Sequence, residues 1–177
     1  LLIAGAAGAG KTTLLAALLA EAPASDRIVT IEDVAELRFE HPHHVSLEAR
    51  QPNIEGAGEI GLARLVREAL RMRPDRLVVG ECRGAEVREL LSALNTGHAG
   101  GAGTLHANGL ADVPARLEAL GALAGMTEQA LARQAISAIG FVLHVARGAS
   151  GHALTGVGTL AITGGRLSVK EVRPWQC

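Results

Sequence analysis

The chain has 177 residues and a formal net charge of −1, with 48% hydrophobic and 20% charged residues. This length supports one domain with a substantial core, and the near-neutral charge argues against a nucleic-acid or anionic-membrane surface. No window reaches the ~18 uninterrupted apolar residues of a membrane span, so no transmembrane segment is expected.

In chain order, strands and helices alternate, which predicts an α/β fold with a mainly parallel sheet flanked by helices. Leu1 to Ala4 reads as a short apolar strand and residues 12–20 as a helix. Residues 27–31 form a strand ending at Glu32-Asp33, and 44–48 another. A polar Pro/Gly loop covers 51–58, and a helix spans 59–72 before Pro74 breaks it. Leu77 to Gly80 is an apolar strand suited to burial on both faces. A helix over 85–94 leads into the Gly-rich stretch 97–103, and Thr104-Leu105-His106 reads as a strand end. Two helices, 112–121 and 127–139, follow. The tail changes character: 141–146, 157–163 and 166–172 are strands, and Gly164-Gly165 predicts a C-terminal antiparallel hairpin between the last two.

Aromatic residues are only Phe39, Phe141 and Trp175, so the core is aliphatic and base-stacking platforms are essentially missing. Direct nucleic-acid binding is not expected. Cys82 and Cys177 stand apart and unaccompanied, which fits a reducing compartment better than a disulfide or a metal site. His41, His43 and His44 are interrupted by Pro42 and lack an acidic or Cys companion, so no metal is assigned to them. The sequence opens at Leu1, within a strand and without Met. It is expected to be a piece of a longer chain, with no signal peptide in these residues.

The most specific signal is Gly5-Ala6-Ala7-Gly8-Ala9-Gly10-Lys11-Thr12, a complete Gly-x-x-x-x-Gly-Lys-Thr phosphate-binding loop between strand and helix. Gly5, Gly8 and Gly10 are expected to allow positive φ, so that successive N–H groups converge on one phosphate chain. Ala9 and Thr13 belong to the same binding segment. Lys11 supplies a cation for the β- and γ-phosphates, the Thr12 hydroxyl a Mg²⁺ ligand, and the helix N-terminus a favourable dipole.

Such a loop needs carboxylates for Mg²⁺ and water, and a parallel sheet delivers them at the carboxyl ends of its strands. Glu32 and Asp33 end one strand; on position alone they read equally well as a solvated turn or helix cap. Glu81 ends the apolar strand after Gly80, an unusual Gly-Glu ending where many phosphate-loop ATPases place Asp. His98 and His106 bracket the Gly-rich stretch, either as sensors of the γ-phosphate or as structural histidines bonded to backbone.

Four boxes in order give the chain its resemblance. They are the phosphate loop; Thr30-Ile31-Glu32-Asp33-Val34-Ala35-Glu36-Leu37; Leu70-Arg71-Met72-Arg73-Pro74-Asp75-Arg76-Leu77-Val78-Val79-Gly80-Glu81; and Thr96-Gly97-His98 through Thr104-Leu105-His106-Ala107-Asn108. Together they resemble the C-terminal ATPase domain of the secretion ATPase superfamily, which serves type II and type IV secretion and type IV pili. Arg50-Gln51-Pro52-Asn53-Ile54-Glu55-Gly56 and the eight-residue step from His98 to His106 are similar to its tight-adherence (Tad/Flp) pilus, or CpaF-like, and VirB11-like branch.

The resemblance implies a RecA-like single domain over 1–177, a homo-hexameric ring and Mg-ATP hydrolysis that drives pilus assembly or secretion. It also implies a cytoplasmic location, peripheral at the inner membrane through a platform protein. Glu32 then resembles the acidic-box catalytic carboxylate, Glu81 the Walker B glutamate, and His98 and His106 the residues near the γ-phosphate. Thr12, Glu32 and Glu81 are the expected metal-side groups. Arg71 and Arg83 sit where the family places arginines near phosphates or subunit interfaces, although Arg71 also suits a solvated helix C-terminus. Cys82 departs from the small apolar residue expected after Glu81. The family's N-terminal domain, which covers the nucleotide, is not in the sequence. The competing readings are a nucleotide-gated interaction protein with little turnover and a monomeric phosphate-loop kinase or GTPase; no guanine-reading Asn-Lys-x-Asp string occurs.

Overall fold

The computed structural model describes residues 1–98, 100–148 and 151–172. Trp175 and Cys177 lie outside the described residues, as does Ala99 of the Gly-rich stretch. The elements are β1 (Leu2–Gly5), α1 (Lys11–Ala20), β2 (Ile28–Glu32), β3 (His44–Glu48), α2 (Leu62–Leu70), β4 (Arg76–Cys82), α3 (Glu86–Asn95), β5 (Ala102–His106), α4 (Val113–Leu123), α5 (Glu128–Ala138), β6 (Val142–Gly148), β7 (Gly151–Thr163) and β8 (Arg166–Val172), with a short 3₁₀ turn at Leu110–Asp112.

The eight strands form one sheet in the order β3-β2-β4-β5-β1-β6-β7-β8. β3 through β6 in that order run parallel, and β7 and β8 are antiparallel additions. The period of two along each strand sorts the core between the faces. Leu2, Ala4, Val29, Ile31, Leu77 and Val79 face the layer of α2 to α5, where Val66, Leu90, Leu91, Leu117 and Leu131 meet them. Ile3, Ile28 and Val78 face the other way and pack with Leu15 and Leu19 of α1 and with Leu37. Cys82, read as a departure, is fully buried in the larger cluster and packs as a small apolar residue; burial pushes its thiol pKa well above the ordinary value.

The expected β7–β8 hairpin is present, with Gly164 and Gly165 at φ 59° and 81°. β7, however, begins at Gly151 rather than near 157, because its first half pairs antiparallel with β6 before its second half pairs with β8. Loop 51–59 closes on itself: Arg50 pairs with Ile60, and Asn53 Oδ1 accepts the N–H groups of Glu55 and Ala57. Among the described residues no helix is long and apolar enough to cross a membrane.

Candidate nucleotide site

The loop leaves β1 at its carboxyl end. Gly8 (φ 67°) and Gly10 (φ 93°) take left-handed conformations as expected. Gly5 is different: it lies in β1, and a Cβ there would strike the carbonyl oxygen of Val145 on β6. Gly10 caps α1, whose first turn carries no acidic side chain to compete for an anion. Lys11 is buried, and its Nζ donates to the carbonyl oxygens of Gly5 and Ala6, both at 3.0 Å. This clamp folds the cation over the loop. Burial lowers the Lys11 pKa, partly offset by the negative charge of Glu81.

A cleft of about 520 Å³ opens over the loop. Ala9, Gly10, Lys11, Thr12 and Thr13 line it from β1–α1, Glu32 and Asp33 from the end of β2, Gly80 and Glu81 from β4, and His106 from the end of β5. The structure therefore brings most of the sequence-predicted groups together.

Glu32 is neither a solvated turn nor a helix cap. It is 4% exposed, and its Oε1 accepts the N–H groups of Glu36 and Leu37, at 3.1 and 3.0 Å, winding the following loop around the carboxylate. Its Oε2 is buried with no hydrogen-bond partner among the described residues. An orphaned buried carboxylate oxygen calls for an explanation, and a cation in the cleft supplies one. Together with the Thr12 hydroxyl it is a hard-oxygen donor set that fits Mg²⁺, an ion that keeps several waters and takes one or two protein ligands beside phosphates.

The Gly80-Glu81 ending acquires a physical reason. β4 and β5 shift register between Val79 and Cys82. At that irregularity the Gly80 carbonyl accepts from the buried Thr104 hydroxyl, and Glu81 turns into the cleft. A Cβ on Gly80 would stand 2.6 Å from Glu32 Cγ. The missing side chain is the space that Glu32 occupies.

Glu81 Oε2 accepts from Arg83 Nε at 2.9 Å and Nη2 at 2.6 Å, and Oε1 lies 3.3 Å from His106 Nδ1. Burial would raise its pKa, but the bonds from Arg83 and His106, with the charges of Arg83 and Lys11, outweigh it and hold the carboxyl below its ordinary value. The turn that presents Arg83 is itself tied down, because the buried Glu86 carboxylate accepts the N–H groups of Arg83 and Gly84.

Two expected residues are not in this cluster. His98 precedes β5 rather than ending it; it sits at the opposite edge of the sheet, with Nδ1 3.2 Å from the Ala93 carbonyl at the end of α3. A full strand separates it from His106, so it does not share the cleft within one chain. Arg71 caps the C-terminus of α2, also ahead of its strand, with a side chain 82% exposed and a loose 3.7 Å pairing to Glu68. Its position within the chain is that of a solvated helix-end cation.

Conversely, sequence reasoning missed Thr104, Glu86 and His152. His152, at the start of β7, lines the cleft and places Nδ1 3.0 Å from the Ala9 carbonyl. Nothing local marks it, because its partner is 143 residues away.

A family model described as "Type II/IV secretion system protein" matches residues 1–144. The chain is 60% identical over 150 residues to a putative conjugal transfer protein of Mycobacterium tuberculosis, covering 85% of this chain and 43% of that protein. Among solved structures it is similar to the VirB11 ATPase of the Brucella suis type IV secretion system, in complex with sulphate (TM-score 0.78, 31% identity, 89% of this chain and 48% of that one). It is also similar to the pilus retraction motor PilT with bound ADP (TM-score 0.63, 27% identity, 99% and 47%). The chain thus spans less than half the length of these relatives. The fold is the RecA-like one of these ATPases, a mostly parallel sheet with antiparallel strands at its C-terminal end. The family match runs unbroken from the phosphate loop into β6, and the chain belongs to the type II/IV secretion ATPase superfamily, in its VirB11-like branch.

Proposed function

We propose that this chain is the Mg-ATP-hydrolysing motor domain of a secretion or pilus machine. The observation that carries the reading is the meeting of Glu81 with Lys11 and Thr12 in one cleft, where the carboxylate is kept ionised by Arg83 and His106. A carboxylate so held can orient and polarise a water, while the loop amides and Lys11 hold the phosphates. Thr12 and Glu32 are the residues that would hold Mg²⁺, and when bound the ion supplies charge neutralisation along the phosphate chain. The family relationship supports a homo-hexamer that is cytoplasmic and peripheral at the inner membrane through a platform protein, with residues 1–177 as one RecA-like domain of the longer motor. Within such a ring, the exposed Arg71 is the first candidate to reach a neighbouring subunit's phosphates, and Arg83, which pairs with Glu81 in its own cleft, the second. His98, on the same edge as Arg71, is equally placed to act across an interface rather than in its own cleft.

Glu81→Gln tests the reading. The amide keeps shape but cannot act as a carboxylate, so Mg-ATP affinity is expected to stay near the parent's while turnover falls at least about 10²-fold. Turnover equal to the parent's would place the catalytic carboxylate elsewhere.

A further inference from the structure

The two sides of the phosphate loop are built from different parts of the chain. β1 lies between β5 and β6. On the β5 side stand the carboxylates of β4 and β2 and His106. On the β6 side the cleft wall includes His152, in the first half of β7, opposite Arg147 in the β6–β7 register.

Its contact with the loop is specific. Nδ1 lies 3.0 Å from the Ala9 carbonyl oxygen, and a carbonyl only accepts, so Nδ1 carries the proton. The ring lies over Gly10: a Cβ built there would come 3.2 Å from Nδ1 and 3.5 Å from Cγ. Gly10 is favoured as glycine by its φ of 93°, and a side chain there would also crowd the imidazole above it.

The consequence follows from the planarity of the peptide bond. The Ala9 carbonyl and the Gly10 N–H belong to one rigid trans unit and point in opposite directions. Whatever holds the carbonyl therefore sets the direction of the amide. We propose that His152 is a positioning residue of the phosphate loop: by pinning the Ala9 carbonyl on the β6–β7 side, it aims the Gly10 N–H at the bound phosphate. The loop's anion affinity then depends on a residue of β7, and the β6–β7 pair becomes a structural part of the nucleotide site. Oriented amides of this kind are the loop's main fixed dipoles toward an anion.

This rests on the reading of the cleft as a nucleotide site, and the experiment separates the two. Binding of a fluorescent ADP analogue (mant-ADP) and steady-state ATP turnover are measured for the parent, Lys11→Ala, His152→Ala and His152→Asn. Asn is the conservative variant, because its side-chain amide N–H can reach the Ala9 carbonyl from nearly the same place as Nδ1–H. His152→Ala is expected to weaken ADP binding about tenfold, the scale of one lost hydrogen bond. It should raise KM for ATP in parallel and leave kcat within about threefold, since the catalytic groups lie across the loop. His152→Asn is expected to recover most of the lost affinity. A ¹⁵N spectrum of the parent should show the Nδ1–H tautomer.

Unchanged ADP affinity in His152→Ala, alongside lost binding in Lys11→Ala, overturns the role of His152 and leaves the nucleotide site standing. Unchanged binding in Lys11→Ala overturns the site itself. Failure of Asn to rescue in a variant with the parent's melting temperature, or an Nε2–H tautomer, also overturns the positioning role.

Discussion

Gly80→Ala probes the reason for the Gly-Glu ending of β4. The added methyl would lie 2.6 Å from Glu32 Cγ, 3.0 Å from Oε1 and 3.2 Å from Cδ, where ordinary van der Waals contact begins at 3.4 Å. Relief requires Glu32 to retreat by 0.8 Å (3.4 − 2.6). That side chain is buried, and two backbone N–H groups grip one of its oxygens. Overpacking of this kind costs about 1–3 kcal/mol, and weakening a hydrogen bond to a charged acceptor adds up to about 1.5–3 kcal/mol. An expected loss of about 2–4 kcal/mol follows, read as a lower urea midpoint. A displacement of nearly 1 Å at a site carboxylate should also cost roughly 10²-fold in turnover. The loop is untouched, so ADP affinity should hold. The double variant Gly80→Ala/Glu32→Ala should recover stability relative to the sum of the single changes, a coupling that double-mutant cycles read directly. Parent-like stability and turnover in Gly80→Ala would refute the idea that glycine is there to admit Glu32.

The folded-state pKa of Glu81 is held below the ordinary carboxyl value, so its contribution to stability is complete above that ordinary value and is lost as pH falls through the depressed one. Arg83→Ala removes the strongest donor to the carboxylate; the Glu81 pKa should rise, and the acid limb of residual turnover should move to higher pH, with NMR titration of the Glu81 carboxyl as the direct check. An unmoved carboxyl titration would mean that His106 and Lys11 suffice. Leu15→Ala empties a fully buried position between α1 and the sheet and is expected to cost about 2–5 kcal/mol in chemical denaturation; a loss under about 1 kcal/mol would mean that the site collapses freely.

What could be read from the sequence was what is local. The phosphate loop carries its chemistry within eight consecutive residues, and Glu81 follows an apolar run too short and too β-branched for a helix. The strand alternation follows from the same local patterns, and with it the carboxyl-end placement of Glu32 and His106. Register was not legible. Whether Glu32 meets water or a buried wall depends on Gly80 in the neighbouring strand, and the irregularity that turns Glu81 inward depends on Thr104 in the next. The β6–β7 pairing was hidden because β7 carries Gly156 and Gly158 and several polar residues, a composition that interrupts the strand pattern although both partners are extended. The step from His98 to His106 does not show in the sequence which end of β5 each ring occupies. It contains all five residues of β5, which run about 13 Å from end to end, so the two histidines fall on opposite edges of the sheet.

The two carboxylates also differ in a way that only the structure reveals. The fixed oxygen of Glu32 is held by backbone N–H groups of its own loop, donors that cannot leave without unwinding that loop. Glu81 is held by side chains alone, from Arg83 with 63% of its side chain exposed and His106 with 40%. Side-chain donors can be drawn away by a competing anion, and a phosphate chain in the same cleft is such an anion. The arrangement thus pairs a rigid carboxylate, with one buried oxygen unpartnered among the described residues, and a second whose hydrogen-bond partners can be exchanged. That division suits a site in which one carboxylate must hold its place while the other responds to what is bound.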